Sequence, residues 1–171
     1  LPGIVAAYAK AAEHARNAGF DGVEIHGANG YLLDQFLRSS TNQRSDAYGG
    51  SLANRARLML EVVEAVCAVL GGNRVGIRLS PENRFNDISD GDPQSTFEYV
   101  ARELNRFRLA YLHVLEGVVG VPSSAADVFD YKALRACFDG PYMANNGYDR
   151  QRALAAIASG SADLVAFGRH F

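Results

Sequence analysis

Apolar residues recur along this chain with two alternating periods, and the alternation predicts five strands separated by helices. Residues 4–18 carry Ile4, Tyr8, Ala11, Ala12 and Ala15 on one face and Lys10, Glu13 and Arg16 elsewhere, a helix that Gly19 stops. Residues 22–26 follow as a buried strand, with Val23 and Ile25 pointing one way and Glu24 and His26 the other. Residues 32–50 show neither period and read as a long loop, after which Ser51 can cap a helix over 52–70. A second strand, RVGIRLS at 74–80, is closed by Pro81. Beyond the polar loop 81–92, Asp92 and Pro93 open a helix that runs to about Phe107. The third strand is LAYLHVLE at 109–116, followed by a small polar loop at 117–127 and a helix around 131–138. Residues 142–145 and 163–167 are the fourth and fifth strands, joined by a helix over 153–159 that Asp149 can cap. Strands alternating with helices, with polar residues at successive strand ends, predict an α/β protein with a parallel sheet of the (β/α)8 kind.

Composition narrows the partners more than the fold. With 171 residues and 48% hydrophobic content, residues 1–171 are expected to form one domain with a sizeable core. A net charge of -2 with no basic stripe argues against nucleic acid and against a polybasic membrane patch, which leaves a small-molecule substrate as the expected partner. No apolar run approaches the roughly 20 residues of a membrane span. Cys67 and Cys137 each fall in an apolar helical pattern without metal-ligand spacing, so no metal is expected and the thiols read as buried in a reducing, cytoplasmic setting. The chain starts at Leu1 rather than Met, which suggests a fragment.

The densest chemistry lies in HGANGY, residues 26–31, where the first strand gives way to a loop. In an α/β barrel that edge of the sheet is the catalytic one. An imidazole, a carboxamide and a phenol within six residues can together hold a carbonyl oxygen and deliver a proton. A satisfied structural histidine is the plainer alternative for His26 taken alone, and Glu24 reads as structural. Arg78 interrupts an apolar strand near its end and should point into the same mouth as His26, where it must meet an anion or a strong acceptor. Pairing with Glu24 and binding of an anionic cofactor are equal alternatives on strand geometry. His113 and Glu116 differ in alternation parity, so both cannot face inward without a bulge. Asn42, Gln43, Arg44 and Asp46 read as a hydrogen-bonded structural loop rather than as catalytic residues. Gly147 and Gly168 each follow a strand, which leaves backbone N–H groups open to a phosphate with Arg169 as countercharge.

The segments AGFDGVEIHGANGYLLDQFL, TNQRSDAYGGSLANR, GIRLSP and SADLVAFGR, in that order, closely resemble the Old Yellow Enzyme family of FMN-dependent ene-reductases. The resemblance covers essentially the whole chain. It implies a TIM barrel of which this chain holds about five parallel strands, matching the fourth to the eighth. It implies that His26 and Asn29 bind the activating oxygen of an α,β-unsaturated carbonyl or nitro compound and that Tyr31 donates the proton. It places Arg78 at the flavin ring, deciding that tie for the cofactor, and Gly147, Gly168 and Arg169 at the FMN phosphate. NAD(P)H is the reductant implied. A whole barrel takes about 250 residues, so the first three strands and their FMN contacts are expected to be absent. Two other readings carry weight: a catalytically silent partial barrel that self-associates through its open edges, and a non-flavin barrel that binds phosphorylated metabolites.

Overall fold

Five parallel strands lie side by side in chain order. In the computed structural model, which describes residues 1–118 and 129–168, they are β1 (Val23–His26), β2 (Val75–Leu79), β3 (Tyr111–Leu115), β4 (Tyr142–Asn145) and β5 (Leu164–Ala166). Parallel neighbours require a crossover. Helices supply each one: α2 (Leu32–Leu37) and α3 (Leu52–Leu70) between β1 and β2, α4 (Pro93–Leu104) before β3, α5 (Tyr131–Ala136) before β4 and α6 (Arg150–Ala158) before β5. A further helix, α1 (Pro2–Asn17), precedes β1 and packs on α3.

The core occupies one face of this sheet. Side chains alternate across a strand, and the alternation sends Ile25, Ile77, Leu79, Leu112, Val114, Tyr142 and Ala144 toward the helices, where all are buried. Phe97, Val100 and Leu104 of α4 and Met59, Val62 and Val63 of α3 pack on them. Each buried Val, Leu, Ile, Phe or Met among them stabilises the fold by about 1.5–3 kcal/mol relative to exposure. The opposite face carries Glu24, His26, Arg78, Tyr111, His113 and Asn145 and has no helix over it among the described residues; it is called the open face below.

The helix starts at Ser51, Asp92 and Asp149 follow the expected caps, and Asp130 adds one not expected from the sequence. Ser51 accepts a hydrogen bond from the Asn54 N–H, Asp92 from Ser95, Asp130 from Lys132 and Ala133, and Asp149 from Arg152, each cap being worth about 0.5–2 kcal/mol. With Asp149 as cap, α6 begins at Arg150, three residues earlier than the apolar pattern suggests.

The long loop expected over residues 32–50 is corrected at its start. Leu32–Leu37 is helical, and at six residues it is too short to display a helical period. Its Asp34 accepts the Gly30 N–H at 3.0 Å and binds Arg38 Nε at 2.7 Å, both side chains fully buried. Arg38 also donates to the carbonyls of Ser80 and Pro81 and lies 4.5 Å over the Phe97 ring. This ion pair therefore joins the segment after β1 to the end of β2. The rest of the loop is hydrogen-bonded both to itself and to residues 89–91: Asn42 Nδ2 donates to the Phe36 and Tyr48 carbonyls, Gln43 to those of Ser39 and Ser40, Arg44 pairs with Asp46, and Ser39 and Ser40 bond to Ser89, Asp90 and Gly91.

Candidate active site

On the open face the sheet register sets His26 beside Arg78 and Arg78 beside His113. Arg78 does not pair with Glu24. Its Nη2 donates to Asn145 Oδ1 at 2.9 Å, and Asn145 is itself held by donating Nδ2 to the Ala166 carbonyl at 2.8 Å. Arg78 Nε is buried without a hydrogen-bond partner among the described residues. Glu24 instead binds His113 Nδ1 at 2.8 Å and the Tyr111 hydroxyl. To reach it the Tyr111 ring crosses over β2 at Gly76, where a Cβ would stand 2.3 Å from the ring. Gly76 is thus what allows a β3 phenol to reach a β1 carboxylate. Burial, the Glu24 charge and the hydrogen bond together push the Tyr111 hydroxyl up to about 12.

The HGANGY segment leaves β1 in a turn fixed from the β2 side. Asn29 adopts φ 58°, a left-handed conformation that asparagine tolerates better than most residues. Its N–H donates to Ser80 Oγ at 2.8 Å, Asn83 Nδ2 donates to its Oδ1 at 2.7 Å, and Asn86 Nδ2 donates to its carbonyl at 2.9 Å. Gly30, at φ 71°, lies so close to the next loop that a Cβ would meet the Phe85 carbonyl oxygen at 2.4 Å. The turn returns Tyr31 toward His26, with ring centroids 5.4 Å apart at a tilt of 56°. Tyr31 is 51% exposed, and His26 also faces outward. Burial first, and then the Arg78 charge, lowers the His26 pKa, with Glu24 and Asp34 opposing. The imidazole is therefore neutral at pH 7 and offers one N–H donor and one acceptor.

The parity argument for the third strand holds. His113 faces Glu24 on the open face, whereas Glu116 is buried against the Tyr142 and Tyr148 hydroxyls, at 3.1 and 2.7 Å. At the ends of β4 and β5, Gly147 takes φ 66° and, among the described residues, nothing beyond its chain neighbours lies within 4 Å of the would-be Cβ of Gly168. Arg169 lies outside the described residues. His26, Asn29, Tyr31 and Arg78 are thus brought together at one end of the sheet. Asn83, Asn86, Tyr111 and Asn145 hold these groups or their neighbours, and nothing in the sequence singled them out. A side chain after one strand that supports a residue after another leaves no local pattern.

The family model described as the NADH:flavin oxidoreductase / NADH oxidase family matches residues 2–171. A probable flavin mononucleotide-dependent alkene reductase of Leishmania infantum is 48% identical over 94% of this chain and 43% of that protein. A putative 12-oxophytodienoate reductase-like protein of Arabidopsis thaliana is 44% identical over the whole chain and 53% of its own length. Among solved structures, the old yellow enzyme homologue from Zymomonas mobilis superposes with a TM-score of 0.92 at 41% identity, over 98% of this chain and 48% of that one. Morphinone reductase in complex with tetrahydroNAD gives 0.89 at 45% identity, over 98% and 45%. The chain spans about half the length of the relatives it matches. The family supports FMN as the cofactor, and that morphinone reductase structure holds tetrahydroNAD. The chain belongs to the FMN-dependent NADH:flavin oxidoreductase family, that of Old Yellow Enzyme, and its open sheet of five parallel strands is part of that family's TIM barrel.

Proposed function

We propose that the protein containing this chain passes hydride from NAD(P)H, by way of FMN, to the activated C=C bond of α,β-unsaturated carbonyl or nitro compounds. The observation that carries this reading is the cluster of His26, Asn29 and Tyr31 at the end of β1, next to Arg78. The residues fit FMN. Among the described residues, Arg78 keeps a buried Nε–H without an acceptor, and the left-handed Gly147 and the uncrowded Gly168 leave backbone accessible at two strand ends. In this reading Arg78 would hold the ring, and Gly147, Gly168 and Arg169 the phosphate. Bound FMN would supply the hydride donor that protein side chains lack.

His26 and Asn29 donate hydrogen bonds to the substrate's oxygen and stabilise the negative charge that grows there when the β-carbon is reduced. A neutral His26 suits this role, since it donates without fixing a proton on the oxygen. Tyr31 gives its phenolic proton to the α-carbon. The full-length protein should show a flavin spectrum that NADPH bleaches and cyclohexenone restores. A protein that takes up no flavin, or one whose reduced flavin is indifferent to the enone, overturns the proposal.

A second reading concerns the chain alone. β1 and β5 are the sheet's two edges, and Leu164 on β5 is 42% exposed, so an isolated chain gains by self-association. Sedimentation as a stable monomer would argue against it.

A further inference from the structure

Resting on the ene-reductase reading, we infer that Asn83 is a positioning residue that locks the carboxamide of Asn29 with its NH2 toward the substrate, and so makes this side of the pocket a donor. A carboxamide has two ends of nearly the same shape and opposite hydrogen-bonding character. Asn29 alone could therefore present either an oxygen or an NH2 to a ligand. A backbone N–H can only donate, and one of them decides the matter here. The Phe85 N–H donates to Asn83 Oδ1 at 3.3 Å. Asn83 Nδ2 is then the end left for Asn29, and it donates to Asn29 Oδ1 at 2.7 Å. Asn29 Oδ1 is occupied, and Nδ2 is the end that faces away from Asn83. Turning both amides over would set the Phe85 N–H against an NH2 group.

The lock is rigid as well as directional. Asn83 is 2% exposed, so water does not compete for its amide. Asn29 is held at both ends of its backbone, by Ser80 and by Asn86, leaving its side chain little freedom to evade the contact. The consequence is selectivity by polarity: ligands that present an accepting oxygen are favoured over ligands of the same shape that present a donor.

The test uses the FMN-loaded full-length protein in its oxidised state, titrated with para-cyanophenolate, which only accepts, and para-cyanoaniline, which also donates, followed by perturbation of the flavin spectrum. Asn83→Leu removes the lock without adding charge, and ionised Asn83→Asp offers Asn29 only acceptors and so turns it over. The wild-type protein should prefer the phenolate, and each variant should cut the phenolate-to-aniline affinity ratio by about tenfold or more, the size of one hydrogen bond to a charged group. Flavin content reports that each variant is folded. A ratio unchanged from wild type, or equal weakening of both ligands, overturns the inference while leaving the functional reading in place. A flavin-loaded wild-type protein that binds no phenolate and reduces no enone overturns the functional reading, and the inference with it.

Discussion

The two faces of the sheet are built from the same strands and differ in almost every other respect. Ile25, Ile77, Leu112 and Val114 on the helix side make contacts that any apolar side chain of similar shape could make. Their neighbours on the open face, Glu24, His26, Arg78, His113 and Asn145, are polar, and all but His26, whose ring contact is Tyr31, are fixed by a particular hydrogen-bond partner. One face holds the strands in place, and the other uses that rigidity to aim side chains. Substitutions on the helix side should therefore change stability, and those on the open face should change chemistry while the fold persists.

The largest effect expected comes from breaking that division within one strand. Ile77→Asp places an unpaired carboxylate in the apolar layer, at a cost of several kcal/mol, comparable with the whole stability of about 5–15 kcal/mol of a typical domain. Loss of a cooperative unfolding transition is the expected outcome. Arg78→Leu, one residue on and facing the other way, should keep the transition and weaken FMN binding by about ten- to a hundredfold, as loss of hydrogen bonds from a charged group would. Equal loss of stability in both variants would erase the distinction between the faces.

The next effect is confined to the open face. Tyr31→Phe removes only a hydroxyl, on a side chain already half in solvent, so the melting temperature should not move. Alkene reduction should slow by ~10² to 10⁴, the usual value of general acid assistance, while reduction of the flavin by NADPH is unchanged. Rapid-mixing measurement of the two half-reactions separates them, and equal slowing of both would make Tyr31 a positioning group instead.

The same division explains what could be read from the sequence. The period-two alternation, clear in residues 22–26, 74–80 and 109–116, places the strands and sets His113 and Glu116 on opposite faces, as the structure does. HGANGY was conspicuous because its polar groups crowd a strand end. What stayed hidden were partnerships across the chain. Arg78 had Glu24 or an anion as its candidates and found Asn145, 67 positions away. Asn83 reaches Asn29 across 54 positions. The Asp34–Arg38 pair hid inside a helix too short to carry a period. Hydrophobic burial is a property of each residue and leaves a periodic trace, whereas a hydrogen bond is a property of a pair and leaves none.

The smallest effect should differ between Glu24 and Glu116 in sign rather than in size. For Glu24, burial alone would raise the carboxyl, but the hydrogen bond and charge of His113, then Tyr111 and Arg78, outweigh it and leave the pKa lowered. A lowered group binds fewer protons folded than unfolded, so its stabilisation is present above the ordinary carboxyl range and is lost as pH falls through the folded value. For Glu116, burial raises the carboxyl, and the hydroxyls of Tyr148 and Tyr142 together with the Arg152 charge recover only part, leaving it raised. A raised group holds its proton more tightly folded, so its contribution is complete in acid and is lost as pH rises through the raised value. Urea unfolding from acid to neutral pH should therefore show Glu24→Gln matching wild type in acid and falling below it toward neutrality. Because Glu24 is partly exposed, that deficit should stay at or below about 1 kcal/mol. Glu116→Gln should move the other way, improving relative to wild type as pH rises. If both differences ran in the same direction, the open face and the helix side would not differ in how they treat a carboxylate.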